Sequence, residues 1–362
     1  MITHIHNQRL KAILICLVCF GGSGCIREID FELPADSLVV VMDGHIHAGP
    51  GPYEIDISLS SPYGREATKP LEGVAVWLVN EAGEEEVFVQ DPASPGKYIC
   101  EGQLIRGEVG AAYHIQGTLP DGTSFHSEPE TIPFPTKITN IDYSFREVRT
   151  INRSGIIREE WFAAVEVGTQ FPLLKEGPYL RWETDEMWVF RELDQGNPLV
   201  SPKTCYITET SDPQRIDVFN GQLIKTSIWD EQEVIFRPLD FTFKDLHYFN
   251  VYQFTTSAKA LEYWERLERV ANQQGSIFDV PPALIRGNIR QDDNPDALIL
   301  GYFEAVTIDT ARAFSTPFDL PNIDFPGFCD FRGGFTNYQI PDACFECLLY
   351  PEATLERPDY LD

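Results

Sequence analysis

From Ser37 to Ser127 one pattern recurs: a short run of alternating or continuous apolar residues, then a cluster of turn formers. Tyr53–Ser60 (YEIDISLS) shows it most clearly, with Tyr53, Ile55, Ile57 and Leu59 at every second position. A period of two places these side chains on one face of an extended strand, whereas a helix would scatter them around its circumference. Strand character also marks Ser37–Ile46, Gly73–Val79, Val87–Gln90, Lys97–Cys100, Ala111–Leu119 and Thr123–Ser127. Between them lie Glu81–Glu84 (EAGE), Asp91–Gly96 (DPASPG) and Pro120–Gly122 (PDG), where Pro presets φ and Gly supplies positive φ. Short strands at this spacing, each with a face to bury, predict an immunoglobulin-like β-sandwich over residues 37–133. The Cys–Trp–Cys signature of true immunoglobulin domains is absent, so the expectation concerns architecture alone.

Pro129, Pro133 and Pro135 stiffen the chain next, and a domain boundary is expected there. Residues 134–362 read as a larger β-rich domain with one prominent helix. Its strands are expected at Glu159–Val167, Tyr179–Glu183, Met187–Leu193, Gln232–Phe236 and Tyr248–Phe254. Ile285–Ile289 and Leu298–Thr307, joined by the acidic stretch Arg290–Asp296, suggest a hairpin. The helix is expected near residues 256–274. Thr255, Thr256 and Ser257 offer capping hydroxyls, Leu261, Trp264, Leu267 and Ala271 form a stripe, and Gly275 ends it. The tail from Thr316 is rich in Pro, Gly, Phe and Cys and lacks periodicity, so disulfides are expected to hold it.

The N-terminus bears on location. Residues 1–11 carry Arg9 and Lys11, residues 12–20 (AILICLVCF) are continuously apolar, and Gly21–Cys25 (GGSGC) is small up to the cysteine. This is the three-zone layout of a secretory signal. The apolar run falls well short of the roughly 20 residues that span a bilayer. Small residues immediately before a cysteine are what a lipoprotein signal peptidase requires. Residues 1–24 are therefore expected to be a lipoprotein signal peptide, Cys25 the lipidated residue, and residues 25–36 a tether. Gly22 stands where such signals usually have an aliphatic residue. An ordinary signal cleaved after Gly24 is the competing expectation. Several acyl chains on one cysteine give stable membrane attachment.

Residues 1–24 hold Arg9 and Lys11 and no acid, so removing them leaves 26 basic against 56 acidic side chains, a formal charge of −30 with His neutral. Such a chain repels polyanions, which excludes nucleic acid as an expected partner. Beyond Cys25 the cysteines are Cys100, Cys205, Cys329, Cys344 and Cys347. An exported chain meets an oxidising compartment. Cys205, Cys329, Cys344 and Cys347 are thus candidate disulfide partners, and Cys100, in a strand-like run, a candidate buried free thiol. A zinc site built from the same four is the less favoured alternative, because the second paired knuckle is missing.

No motif for nucleophilic, metal-hydrolytic or phosphate-loop chemistry occurs. His45 and His47 lie two apart and share a strand face; an exposed strand face is preferred over a metal edge. Asp292, Asp293 and Asp296 read as a solvated acidic turn, since the ligand ladder of a calcium loop is missing. Trp161, Trp182, Trp188 and Trp229 are candidates for stacking on sugars by residue type alone, and core packing is preferred for each. No catalytic residue, cofactor or metal is expected.

One ordered set of residues resembles a known family. It comprises Gln253-Phe-Thr-Thr-Ser, then Tyr263-Trp264, Gly275-Ser-Ile-Phe278, Pro281-Pro282, Gly287-Asn288-Ile289 and Leu300-Gly301-Tyr302-Phe303. The N-terminal half adds Leu38–Val41, Gly44 and Pro70-Leu-x-Gly73. The chain resembles the exported lipoproteins catalogued as domain of unknown function 4249, of Bacteroidota type, whose ending the C-terminal cysteines also resemble. The resemblance implies an outer-membrane lipoprotein, often encoded beside a TonB-dependent β-barrel receptor, and hence an accessory role in uptake or surface binding. It carries over no catalytic residue. Tyr263, Trp264, Gly287, Asn288, Gly301, Tyr302 and Phe303 are expected to act structurally. The function expected is a non-catalytic accessory lipoprotein; the alternative is a surface-anchored hydrolase acting on glycans or peptides.

Overall fold

The computed structural model describes residues 38–61, 68–151, 155–172, 177–194, 196, 201–212, 215–223, 226–271, 285–322, 327–329 and 340–361. Cys25, the tether and Gly275–Pro282 of the family motif lie outside the described residues. Val39–Asp362 form one compact unit.

The first strands are β1 (Val40–His47), β2 (Tyr53–Leu59), β3 (Lys69–Pro70), β4 (Ala75–Asn80), β5 (Glu85–Gln90), β6 (Lys97–Cys100), β7 (Ala112–Thr118), β8 (Ser124–Ser127) and β9 (Glu130–Thr131). Each of the longer ones lies where the alternation places it. On β2 the alternating Tyr53, Ile55 and Ile57 are fully buried. β2 pairs antiparallel with β1, β3 and β6, while β7 pairs with β4, β8 and β9. β5 links the two groups by pairing with both β4 and β6. Their inward faces share one core, which includes Met42, Ile55, Val76, Leu78, Tyr98, Ile115 and Phe125.

The chain then forms β10 (Lys137–Ile151), β11 (Ile157–Gln170), β12 (Tyr179–Arg191), β13 (Thr204–Thr210), β14 (Asp217–Asn220), β15 (Ile228–Pro238), β16 (His247–Thr256) and the helix α1 (Ala258–Ala271). After it come β17 (Ile289–Gln291), β18 (Ile299–Leu300), β19 (Phe303–Ser315) and β20 (Ala353–Thr354). β10, β11 and β15 form a separate three-stranded sheet. Its apolar face (Ala163, Val165, Val167, Val234, Ile235) packs on Leu180, Trp182, Phe249 and Val251 of β12 and β16 in a second core. The protein is mainly β with one prominent helix and a large mixed sheet.

β19 ties the molecule together. Its first residues, Phe303 to Val306, lie parallel to β1, with Gly44 opposite Phe303 and Ile46 opposite Ala305. Its length also runs antiparallel to β16, from Thr307 opposite Thr255 to Ser315 opposite His247. The first core consequently takes Ile289, Ile299, Phe303 and Ala305 from far down the chain.

Local expectation and structure differ at three places. The two strands expected within Tyr179–Leu193 are one continuous strand: the polar run Thr184-Asp185-Glu186 looks like a break but is ladder-bonded to β16 throughout. The hairpin expected at residues 285–307 is absent, because β17 pairs with β8 whereas β18 joins β1. β10 carries a bulge between Ile138 and Asn140 that shifts its alternation by one residue. Ile141, Tyr143 and Phe145 resume the apolar face beyond it, so a fixed period misses the strand.

A third core joins Trp188, Phe190 and Ile207 to the tail. Cys205–Cys347 and Cys329–Cys344 are disulfides, and Cys100 is a buried free thiol. All four candidate zinc thiols are therefore consumed as two bridges. Desolvation pushes the Cys100 thiol up to about 11, which keeps it protonated and unreactive.

Candidate functional site: a polar cleft walled by aromatic rings

β12 is the spine of the site. On one of its faces Arg181, Glu183 and Asp185 follow at alternate positions. Across the ladder they stand opposite Phe254, Tyr252 and Asn250 of β16. On its other side β12 meets β13 and β14, which bring Thr210 and Asp217 alongside. The helix α1 packs against β12 and β14 and supplies Trp264. The space between is a cleft of about 440 Å³, also lined by Trp182, Asp212 and Arg215.

The floor is an ion-pair network. The Arg181 side chain is 6% exposed and that of Glu304 is 2% exposed, with Arg181 Nη2 to Glu304 Oε1 at 2.9 Å. Arg181 Nε also donates to Glu304 Oε1 at 3.0 Å, and Nη1 donates to Glu183 at the lip. Glu304 further accepts from Trp264 Nε1 at 3.0 Å and from Thr256 Oγ1 at 2.7 Å. The Arg181 guanidinium stacks over Phe254 at 3.9 Å and Trp264 at 4.7 Å. Burial alone would disfavour its charge, but Glu304 and Glu183 outweigh that and hold Arg181 more firmly protonated than usual. Breaking a buried pair of this kind leaves an uncompensated charge, so removing either partner is costly.

The walls are carboxylates held in place. Asp185 accepts from Asn250 Nδ2 and from Tyr252 Oη at 3.0 Å. Burial raises its carboxyl above the usual range, opposed by those two hydrogen bonds. Tyr252 is pushed up to about 12, by burial first and by Asp185 second. Asp217 accepts from Arg215 Nε at 2.7 Å, and Arg215 Nη2 donates to Glu233 O at 2.7 Å.

The family-motif residues lie behind this floor, where α1 docks on β19. Ser257 caps the helix, its hydroxyl accepting from Ala260 N at 3.1 Å. The helix buries Ala260, Leu261 and Tyr263; Trp264 and Leu267 are partly buried, and Ala271, expected on the stripe, is exposed. Tyr263 packs on Tyr302 with ring centroids 5.0 Å apart. Tyr302 Oη donates to buried Glu130 at 2.6 Å. Asn288 Nδ2 donates to Phe303 O at 2.8 Å while its Oδ1 accepts from Phe303 N at 2.9 Å, so one side chain imitates a neighbouring strand. Gly287 and Gly301 are close approaches of backbone: a Cβ on Gly287 would sit 1.5 Å from Gly301 O, and one on Gly301, whose φ is +93°, 2.0 Å from Met42 O.

The remaining candidates lie elsewhere. His45 and His47 share a face but are half-buried rather than exposed, because β1 is flanked by β2 and β19 and His45 packs edge-on against Phe254. Desolvation first, and the Arg181 charge second, hold the His45 imidazole down at about 4. Asp292 pairs with His126, 2.5 Å from its Nδ1, in an exposed turn with Asp293 and Asp296. Trp182 and Trp188 are buried in the second and third cores; Trp161 and Trp229 are partly buried. Among the described residues no group of three or more His, Cys, Asp or Glu is placed to hold a metal ion, and no helix is long and apolar enough to cross a membrane.

Sequence reasoning singled out Trp264 and Trp182 but missed Arg181, Asp185, Asp217, Tyr252 and Glu304. Arg181 and Glu304 are separated by 123 positions, so no spacing links them. The one local cue was Glu304 directly after the Gly301-Tyr302-Phe303 run.

The fold and site thus define a mainly β protein with a polar, aromatic-walled cleft braced by the helix α1. The chain belongs to the family described as Domain of unknown function (DUF4249), whose model matches residues 26–312. That span contains the cleft, α1 and the docking motif, while Cys329, Cys344 and Cys347 lie beyond it. No curated protein matches the chain.

Proposed function

We propose that this chain is an outer-membrane accessory lipoprotein, anchored through Cys25 after loss of residues 1–24, that binds a partner or a nutrient ligand without catalysis. A TonB-dependent β-barrel receptor is the partner this reading names. It also includes an immunoglobulin-like sandwich over residues 37–133 followed by a β-rich domain over 134–362. The observation that carries the binding role is how the cleft holds its charges. Arg181 is clamped between Glu183 and Glu304, Asp217 is held by Arg215, and Asp185 lies under Asn250 and Tyr252. Groups positioned in advance recognise a ligand at little cost in ordering. The anchor is supported by the three-zone N-terminus ending at Cys25.

The test has two arms. Cells expressing the wild type or Cys25→Ser are fed an alkyne fatty acid, and the protein is probed for label and fractionated. The wild type is expected to be labelled and recovered with outer membranes, and the variant to be neither. A pull-down from solubilised outer membranes is expected to recover a β-barrel protein with the wild type; recovery of the lipoprotein alone counts against the accessory role. The raised carboxyl of Asp185 favours the hydrolase alternative, which requires turnover of surface glycans or peptides that Asp185→Asn abolishes.

A further inference from the structure

We propose that the cleft along β12 binds a cationic ligand: an amine or guanidinium on an apolar stem, as in a lysine or arginine side chain of a peptide or in a polyamine. This names the ligand class of the binding role above and rests on that reading.

The charge balance of the cleft comes first. Its lining contains Glu183, Asp185, Asp212 and Asp217 against Arg181 and Arg215. Both guanidiniums are committed, Arg181 to Glu183 and Glu304, and Arg215 to Asp217 and the Glu233 carbonyl. Asp185 is held differently, by the neutral donors Asn250 Nδ2 and Tyr252 Oη. The nearby Arg312 guanidinium lies over the Tyr360 ring at 4.5 Å and acts on Asp185 through its charge alone, with no hydrogen bond to it among the described contacts. Asn250 is 1% exposed, its amide nitrogen donates to Asp185 and to Tyr360 Oη, and its carboxamide oxygen has no hydrogen-bond partner among the described residues. Asn250 stands behind Asp185 rather than in the cleft lining, so it fixes the carboxylate that faces the ligand.

The walls fit the stem and the charge. Tyr252 and Trp264 present rings to the cleft, and Trp264 already takes the Arg181 guanidinium at 4.7 Å. Ring faces attract cations and accept methylene stems. The volume, about 440 Å³, falls within the range of small-ligand sites and admits one long side chain with its flanking backbone. A neutral sugar would stack on the rings without engaging the charge of the lining carboxylates, and an anion would be repelled by them. The net charge of −28 steers cations towards the protein as a whole.

The test is calorimetric titration of the full chain in detergent with spermidine, N-acetyl-lysine amide and N-acetyl-arginine amide, at low and at physiological salt. N-acetyl-glutamate amide and maltotriose are the comparison probes. The cationic probes are expected to bind, more weakly as salt rises. Asp185→Asn is expected to weaken them roughly 10- to 100-fold, as loss of a charge-assisted contact does, with Asp185→Glu recovering part of the affinity. Asp212→Asn, at the exposed lip, supplies a second variant that does not disturb the β12–β16 ladder and is expected to weaken binding several-fold. The proposal is overturned if no cationic probe binds, if maltotriose or the glutamate amide binds instead, or if both variants bind like the wild type. Loss of cationic binding with a barrel still recovered in the pull-down removes this ligand class and leaves the accessory role standing. Loss of both removes the two together.

Discussion

Asn288→Ala tests the docking of β19 directly. Asn288 is 3% exposed and Phe303 is fully buried. The carboxamide donates to Phe303 O at 2.8 Å and accepts from Phe303 N at 2.9 Å. Truncation to Ala orphans both backbone groups at once. Each buried, unsatisfied group costs about 1–3 kcal/mol, so the expected loss is about 2–6 kcal/mol. The cavity left is polar, and a water entering it would bring the cost towards the lower end. The assay is guanidinium denaturation followed by circular dichroism, read as a shift in midpoint at unchanged slope. Asn288→Asp sharpens the test. Ionised, it still accepts from Phe303 N–H but faces the Phe303 carbonyl with a charge; protonated, it donates to that carbonyl again. Its folded carboxyl is therefore expected to titrate above the unfolded value, so its deficit relative to wild type should shrink as pH falls through that raised value. A loss below about 1 kcal/mol for Asn288→Ala would refute the claim that this side chain stands in for a strand.

Three further outcomes follow from the same geometry. Replacing Cys205 and Cys347 by Ser opens a bridge of sequence separation 142, against 15 for Cys329–Cys344, and loop-closure entropy predicts a loss of about 5 kcal/mol against about 3; a larger midpoint shift for the short bridge would contradict this. Glu304→Gln leaves Arg181 buried with Glu183 as its remaining anion and is expected to cost about 3–5 kcal/mol; a cycle with Arg181→Met should show the double variant losing less than the sum of the two single losses. His45 has its imidazole held at about 4, below the ordinary 6.5. The unfolded chain therefore takes up a proton that the folded chain refuses, and stability is lost as pH falls from 6.5 towards 4; stability curves of His45→Gln should lack that part of the slope.

Much of the β architecture was legible because burial on one face of a strand writes itself as a period of two. Tyr53, Ile55 and Ile57 announced β2, and the Gly- and Pro-bearing turns marked where the strands of the first half end. The helix was legible for the same kind of reason, from its cap at Ser257 and its apolar residues, although its buried face is centred on Ala260, Leu261 and Tyr263 rather than running out to Ala271. β10 escaped because a single bulged residue reverses the face of everything beyond it. β12 was split because Asp185 and Glu186 look like loop residues until Asn250, Tyr252, His247 and Arg237 are in place to satisfy them.

What the sequence determined by itself is what depends on neighbours along the chain: the strand periods, the helix cap and the family motif. The disulfide pairing, the β1–β19 contact and the cleft were decided only by the tertiary structure. Cys205 and Cys347, Gly44 and Phe303, and Arg181 and Glu304 are partners separated by more than a hundred residues, and no local preference selects one such pairing over another. The selection comes from collective burial. Phe303 enters the first core, Asn288 satisfies its backbone, and Glu304, the next residue, is thereby carried to the floor of the cleft, where Arg181 and Trp264 meet it.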